Sequence, residues 1–169
     1  MTILIRLEET KDYAEVRVVN RSAFETRAEA DLVDVLRKDA QPVISLVADE
    51  DGEIVGHILF SPVRLSGNPD LKIMGLGPMS VIPSHQRQGI GTALVRVGLE
   101  KCKALEYGAV VVLGHTWFYP RFGFSPSVNY GIRSAYEVPD EVFMVLEIEP
   151  GYLQGAAGTI KYHPAFNHL

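Results

Sequence analysis

A strand–helix–strand unit in the middle of the chain constrains the fold more than any other feature. The helix pattern runs from Gly89 to Leu105, with apolar residues on one face and charged residues on the other. A strand-like run, Lys72 to Ile82, precedes it, and an all-apolar run, Ala109 to Leu113, follows it. Such connections are right-handed and leave the two strands parallel. A short, wholly apolar strand is typical of one buried on both faces, so we expect helices on both sides of the sheet.

The remaining segments predict strand hairpins and two further helices. The sequence pattern predicts a helix from Thr10 to Phe24, with Thr10 as its N-cap, and a second helix from Ala28 to Arg37. The other expected strands are Thr2 to Leu7, Val43 to Ala48, Glu53 to Leu65, and two near Tyr130 to Val138 and Val142 to Ile148. The hairpins imply antiparallel partners, so the sheet should be mixed. No linker interrupts the chain, which predicts a single α/β (α+β) domain over 1–169, with a C-terminal tail, 151–169, of unassigned structure.

Composition narrows the class of protein. The 169 residues are 47% hydrophobic and 22% charged, as in globular proteins, and no apolar run approaches the length of a bilayer span. The net charge of −5 gives no reason to expect nucleic acid or an anionic membrane as a partner. The N-terminal segment does not have the pattern of a signal peptide. The single cysteine, Cys102, permits no internal disulfide, so a cytoplasmic location is expected. The five histidines lack metal-ligand spacing, and no metal is expected.

The strand before the central helix is irregular. Gly75, Gly77 and Pro78 lie inside it, where glycine weakens a strand and proline removes a ladder donor. We expect a bulge there that splays this strand from the Ala109–Leu113 strand. Ligands bind where parallel strands separate at their carboxyl ends. The backbone of three residues past the bulge would then be open to an extended ligand that carries amides, namely Met79, Ser80 and Val81.

The loop that enters the central helix predicts an anion site. Free N–H groups and the helix dipole favour phosphate oxygens at a helix N-terminus, and Gly89 and Gly91 allow close approach. The spacing fits neither a P-loop nor the three-glycine dinucleotide fingerprint. A glycine-rich helix start without any ligand is the alternative interpretation. Coenzyme A has a pyrophosphate at one end and amides at the other, which matches both this loop and the strand before it.

Two motifs resemble those of a known family. Gln86-Arg87-Gln88-Gly89-Ile90-Gly91 is similar to the Gln/Arg-x-x-Gly-x-Gly/Ala motif of the GNAT superfamily of acyl-CoA N-acyltransferases. Tyr119-Pro-Arg-Phe-Gly123-Phe124 is similar to a second GNAT marker, and the stretches 113–124 and 162–166 look like the YhbS-like branch. The resemblance covers about Ile3 to Ile148. It implies a GNAT-like central mixed, mostly antiparallel sheet of about six to seven strands, splayed by a bulge, with helices on both faces.

The resemblance also implies a reaction and a set of site residues. It implies an N-acetyltransferase that moves an acetyl group from acetyl-CoA to a primary amine by direct transfer, with Tyr119 as general acid. The implied cofactor-binding residues lie on the strand and the loop: Met79, Ser80, Val81, Gln86, Arg87, Gln88, Gly89, Ile90, Gly91 and Thr92. One departure concerns the asparagine that many members carry after the short strand. Here Leu113-Gly114-His115 contains none.

The sequence leaves open the general base and the identity of the acceptor, for which a small-molecule amine and a peptide amine are both candidates. Many relatives place a glutamate on the bulged strand, but Lys72 to Ile82 contains no acid. His115, Glu25 and Glu29 are candidates, and a chain of waters is another. Cys102 lies on the apolar helix face, where a thiol is inert, which disfavours a covalent intermediate. The alternatives are a non-catalytic acyl-CoA-binding module and a transferase for longer acyl groups. Homodimers are common in this family, so a homodimer is a further expectation.

Overall fold

The structure of the protein, a computed structural model, describes residues 2–169. Residues 2–169 contain three α-helices, α1 (Tyr13–Ala23), α2 (Ala28–Asp39) and α3 (Ile90–Ala104). The strands are β1 (Ile3–Leu7), β2 (Ile44–Glu50), β3 (Glu53–Leu65), β4 (Ile73–Val81), β5 (Ala109–Leu113), β6 (Ser125–Pro126), β7 (Ile132–Ser134), β8 (Phe143–Glu147) and β9 (Gly158–Lys161). Short 3-10 turns lie at Thr10–Asp12, Pro83–His85, Tyr119–Phe122, Ser127–Tyr130, Asp140–Val142 and Pro164–His168.

The sheet is mixed and mostly antiparallel, as predicted. Its strand order is β1-β2-β3-β4-β5-β8-β6, and β9 pairs with both β3 and β7. The pairs β1·β2, β2·β3, β3·β9, β5·β8 and β6·β8 are antiparallel, whereas β4·β5 and β7·β9 are parallel. The prediction of six to seven strands was slightly low, because the described part of the chain forms a sheet of nine. The two extra strands lack a strand-like sequence: β6 is two residues long and ends in proline, and β9 begins at a glycine with a φ of +149°.

The strand–helix–strand unit is confirmed. β4 pairs in parallel with β5 from Ile73, opposite Ala109, to Leu76, opposite Val112. The register stops at Leu76, directly before the glycine and proline that predicted an irregular strand. The Gly77–Pro78 peptide bond is cis. β5 is buried on both faces, as its apolar sequence predicted.

The start of the first helix corrects one expectation. Thr10 is not the N-cap, because a 3-10 turn covers Thr10–Asp12, its N-cap is Glu9, and the α-helix begins at Tyr13. Asp12 organises this turn. Its carboxylate accepts the backbone N–H of Glu9 at 2.8 Å and the Arg6 guanidinium at 2.8 and 3.0 Å. The Arg6 hydrogen bonds lower the pKa of Asp12, so the carboxylate stays charged and holds the turn together.

The chain forms two compact units. Unit 1 comprises residues 2–61, 77–101 and 164–169, and unit 2 comprises residues 62–76 and 102–163. In unit 1, the inner faces of α1 and α2 pack on β2 and β3, and Phe166 of the tail joins this cluster. The aromatic ring of Phe60 in β3 occupies the space that a β-carbon at Gly98 of α3 would need. Glycine at that position therefore lets α3 lie close to the strand.

Unit 2 has its own apolar core. β5 and β8 form its centre, and Ile132 of β7 and Ile160 of β9 pack against them. The tail, which the sequence left unassigned, thus contributes β9 to the sheet in this unit and a 3-10 turn to unit 1.

Candidate functional site

The loop that leads into α3 has the backbone shape of an anion site. After the 3-10 turn Pro83–His85, Arg87 has a φ of +64° and Gly89 a φ of +87°, both in the left-handed region. Within residues 2–169, the backbone N–H groups of Arg87, Gln88 and Gly89 donate no hydrogen bond. The first N–H groups of any α-helix also lack intrahelical partners. Successive free amides in such a conformation form a concavity that binds anions.

The surface above this loop is open. A β-carbon at Gly89 would meet no heavy atom within 4 Å. The side chain of Arg87 is exposed and forms no ion pair with any residue from 2 to 169. A phosphate could therefore reach the free amides directly, and the guanidinium could add a positive charge beside it.

Side-chain hydrogen bonds stabilise the loop that leads into α3. Gln86 Nε2 donates to the carbonyl oxygen of Val81 at 2.9 Å, and Gln88 Nε2 donates to that of Ser84 at 3.4 Å. His85 Nε2 lies 2.9 Å from Glu50 Oε1 at the end of β2. The two glutamines therefore stabilise the loop through their side-chain amides. The sequence pattern did not indicate His85 and Glu50, because their contact joins positions far apart in the chain.

The strand that leads into the loop lies in the same unit. Met79 and Val81 are half-buried, whereas Ser80 is buried. The Ser80 hydroxyl donates to Asn20 Oδ1 at 3.0 Å, so its side chain is turned toward α1. Unit 1 thus brings together the strand residues 79–81 and the loop residues 86–92 that the resemblance implied.

Tyr119 is buried in unit 2. Its ring packs edge-on against Phe118 and Phe124, with ring centroids 5.0 and 5.7 Å away. Burial raises the pKa of Tyr119 to about 12, so the phenol is protonated at neutral pH. Its hydroxyl forms no hydrogen bond with another described residue. The aromatic packing fixes the ring and leaves the phenolic O–H as a donor for a ligand.

The candidate bases occupy different environments. His115 is exposed and stacks on Trp117, with a centroid distance of 5.3 Å. Glu25 is exposed in the connection between α1 and α2. Glu29, in the first turn of α2, has one carboxylate oxygen that is buried and has no hydrogen-bond partner in the described structure. A buried polar atom without a partner is costly. Of the two acids, Glu29 is therefore the one whose carboxylate would be stabilised more by a ligand that donates a hydrogen bond.

The single cysteine also bears on the chemistry. Cys102 is buried, and burial raises the pKa of its thiol to about 12, so it is a poor nucleophile. Among residues 2–169, no cluster of three or more histidine, cysteine or acidic side chains is arranged to hold a metal ion. Within the same residues, no helix has the length and apolar character needed to cross a bilayer.

Comparison with known proteins assigns the family. Residues 9–124 match the acetyltransferase (GNAT) family. The chain is 36% identical over 168 residues to the uncharacterised N-acetyltransferase YhbS of Escherichia coli K12, which covers 99% of this chain and 100% of that protein. It is 39% identical over 139 residues to the uncharacterised N-acetyltransferase YjhQ of the same strain, covering 80% and 77% of the two chains.

Solved structures agree with the sequence relatives. The crystal structure of Escherichia coli YhbS in complex with CoA superimposes with a TM-score of 0.92 at 35% identity, covering 98% of this chain and 92% of that one. A GNAT family acetyltransferase from Brucella melitensis in complex with acetyl-CoA superimposes with a TM-score of 0.81 at 36% identity, covering 98% of each chain. The resemblance read from the two sequence motifs is thereby confirmed, and the chain belongs to the GNAT family of acetyltransferases.

Proposed function

We propose that the protein transfers an acetyl group from acetyl-CoA to a primary amine by direct attack on the thioester. The free amides of the loop entering α3, beneath the open surface at Gly89, are the observation that carries this proposal. The CoA and acetyl-CoA complexes of the two similar structures support it, because the same ligand has a diphosphate that such amides bind. Met79 and Val81 supply backbone groups for the amide-bearing arm of the cofactor.

The chemistry assigns a limited role to Tyr119. The amine nitrogen attacks the carbonyl carbon, a C–N bond forms, and the C–S bond breaks to release a thiolate. A thiol has an ordinary pKa of about 8.5. Because the pKa of Tyr119 is about 12, complete proton transfer to the thiolate is uphill. We therefore assign Tyr119 as a hydrogen-bond donor that stabilises the departing sulfur. The proton that the amine nitrogen loses passes to solvent, and solvent acid protonates the released thiolate, since neutral pH lies below the pKa of a thiol.

Direct transfer is supported by the state of the single cysteine. The buried Cys102 thiol is neutral at physiological pH, so an acyl-enzyme at this residue is disfavoured. Initial-rate kinetics should give intersecting lines rather than the parallel lines of a ping-pong mechanism. Cys102→Ala should retain the wild-type reaction order. A parallel pattern that disappears in Cys102→Ala would overturn direct transfer.

The alternative function is a non-catalytic acyl-CoA sensor of the same fold. The specific observation in its favour is the absence of a base at the expected place: β4 carries no acid, and His115 stacks on Trp117 in solvent. Calorimetry with CoA and acetyl-CoA, followed by turnover with a panel of amines, separates the two functions. Binding with turnover supports the transferase, whereas binding without any turnover supports the sensor. Propionyl-CoA and longer esters in the same assay define the acyl preference.

Three expectations about the whole protein belong to this proposal. Because the match to YhbS spans 99% of the chain, we propose that residues 1–169, the tail included, work as one acetyltransferase domain. We propose a cytoplasmic location, since the single cysteine needs no oxidising compartment. A homodimer stays a prediction, which light scattering coupled to size-exclusion chromatography would test.

A further inference from the structure

In unit 1, a buried chain of hydrogen bonds runs from Ser80 in β4 to Glu8, which directly follows β1. Five side chains form it, one from each of five segments: Ser80, Asn20, His57, Ser45 and Glu8. The successive distances are 3.0, 3.3, 2.8 and 2.8 Å. Asn20 and His57 are completely buried. Beyond Glu8, the guanidinium of Arg37 donates to both carboxylate oxygens at 2.7 and 3.1 Å.

The charged end sets the direction of every bond. The Glu8 carboxylate, paired with Arg37, accepts the hydroxyl proton of Ser45. Ser45 has no second proton, so its oxygen must accept from His57 Nε2–H. Burial, with the positive charge of Arg37 as a smaller cause, lowers the pKa of His57 to about 3. The ring is therefore neutral, and its Nδ1 is an acceptor.

The donors and acceptors at the Ser80 end of the hydrogen-bond chain can be assigned in the same way. His57 Nδ1 accepts from the amide nitrogen of Asn20, which also donates to the carbonyl oxygen of Val16 at 3.1 Å. The amide oxygen of Asn20 accepts the hydroxyl proton of Ser80. Every donor thus points toward Glu8, and the bond dipoles add with their negative end at the Ser80 oxygen. Aligned hydrogen bonds in a buried environment strengthen one another.

This alignment gives Ser80 a defined chemical character. Its only proton is committed to Asn20, so toward any further partner its oxygen acts as an acceptor and not as a donor. This chain of hydrogen bonds is not a proton-transfer path, because transfer along it would require the Asn20 amide to lose a proton from a very weakly acidic N–H. The arrangement instead offers a fixed, partially negative oxygen on the strand whose neighbours, Met79 and Val81, we assign to the cofactor.

We propose that the Ser80 oxygen accepts an N–H of the attacking amine, and that Asn20 and His57 are positioning residues that hold it in this role. Resting on the proposed function, this assigns a substrate contact to a residue previously implied to bind only the cofactor. As the nitrogen attacks, the C–N bond forms and positive charge develops on nitrogen. An acceptor at Ser80 stabilises that charge, while the proton is finally lost to water and never resides on Ser80.

Steady-state kinetics with an amine found in the panel test the contact. Ser80→Ala should lower kcat/KM for the amine by at least about tenfold, with the dissociation constant of acetyl-CoA unchanged. Ser80→Thr, which keeps the hydroxyl, should recover most of this loss. Asn20→Asp should also lower kcat/KM for the amine, because a carboxylate cannot donate to His57 Nδ1. Ser22→Ala is the matched control, since the Ser22 hydroxyl donates to the Val19 carbonyl oxygen and takes no part in the hydrogen-bond chain from Ser80 to Glu8.

The results that overturn the proposal are distinct. Equal losses in acetyl-CoA affinity and amine turnover would mean a purely structural role, and wild-type turnover in Ser80→Ala would remove the contact altogether. The ¹⁵N shifts of the His57 ring give a readout that needs no substrate. We expect the neutral Nε2–H tautomer from pH 5 to pH 8, and an Nδ1–H tautomer or an imidazolium would overturn the direction of the chain. A wild-type protein that acetylates no amine would instead overturn the proposed function, whatever the tautomer of His57.

Discussion

The ring of Tyr119 occupies the space that a β-carbon on Gly114 would need. Glycine directly after β5 therefore permits the buried position of the candidate hydrogen-bond donor. Gly114→Ala should displace the ring and cost about 1–3 kcal/mol of stability, as overpacking typically does. Denaturant unfolding measures the stability, and kcat should fall in parallel because the phenol moves.

The double variant Gly114→Ala/Tyr119→Ala provides the control for this clash. If the ring is what the β-carbon meets, the two single losses should not add, because the second substitution removes the obstacle. Additive losses would show that Gly114→Ala acts elsewhere.

Removing only the phenolic oxygen of Tyr119 tests its role in the reaction. Tyr119→Phe should keep the aromatic packing with Phe124, and hence the melting temperature, while kcat falls by about 10²-fold because one hydrogen-bond donor to the departing sulfur is lost. Tyr107→Phe is the matched control, since Tyr107 is also a buried tyrosine of unit 2. The prediction fails if both variants lose the same activity or if Tyr119→Phe remains fully active.

A charge placed at the α3 N-terminus tests the anion site. Gly91→Glu should weaken acetyl-CoA binding by at least about tenfold, because the carboxylate competes with the diphosphate for the same positive potential. Gly91→Gln has nearly the same shape without the charge and should bind more tightly than Gly91→Glu. Isothermal titration calorimetry at two salt concentrations measures both affinities. Equal affinities for the two variants would contradict an electrostatic site.

The buried carboxylate oxygen of Glu29 predicts an effect on the acceptor. If an amine satisfies this oxygen, Glu29→Gln should raise KM for the amine by about tenfold, as the loss of one charged hydrogen bond does. Glu25→Gln, four residues away and exposed, should leave KM unchanged. An unchanged KM in both variants, measured with saturating acetyl-CoA, would remove Glu29 from the acceptor site.

His57 predicts how stability depends on pH. Its folded pKa of about 3 lies below the ordinary value of 6.5, so the unfolded chain binds a proton that the folded protein does not. Stability should be intact above pH 6.5 and should fall toward pH 3 with a slope of up to about 1.4 kcal/mol per pH unit from this group. His57→Gln should flatten that slope between pH 6.5 and 4. His168→Gln, in the last 3-10 turn, should leave it unchanged, and an unaltered slope in His57→Gln would refute the assignment.

Local patterns predicted a large part of the fold. α3 was predicted as Gly89 to Leu105 and found as Ile90–Ala104, because its amphipathic period and its glycine start are properties of one continuous segment. The loop from Gln86 to Gly91 could also be found, since left-handed backbone next to a helix start favours glycine. Short strands escaped prediction. β6 and β9 exist because they pair with β8 and with β3 and β7, not because of their own sequence.

The side-chain network of the site was beyond sequence reasoning. Asn20, His57 and Ser80 lie on three elements, and nothing in their local sequence indicates that they meet. His115 and Glu25 were reasonable candidates by position, yet both are exposed, whereas the carboxylate with a buried, unpartnered oxygen belongs to Glu29. Burial and partner identity are tertiary properties, and they decide which of several similar residues is suited to a reaction.

Unit 1 is assembled from three separate stretches of chain, with all of unit 2's residues between its first stretch and its last. A ribosome must therefore synthesise residues 62–76 and 102–163 before residues 164–169 can bring Phe166 to the α2 cluster. Domains usually fold in the order in which they are synthesised, but unit 1 cannot be completed before unit 2 has been synthesised. During translation unit 1 should therefore stay incomplete and sensitive to proteases until residues 164–169 have left the exit tunnel.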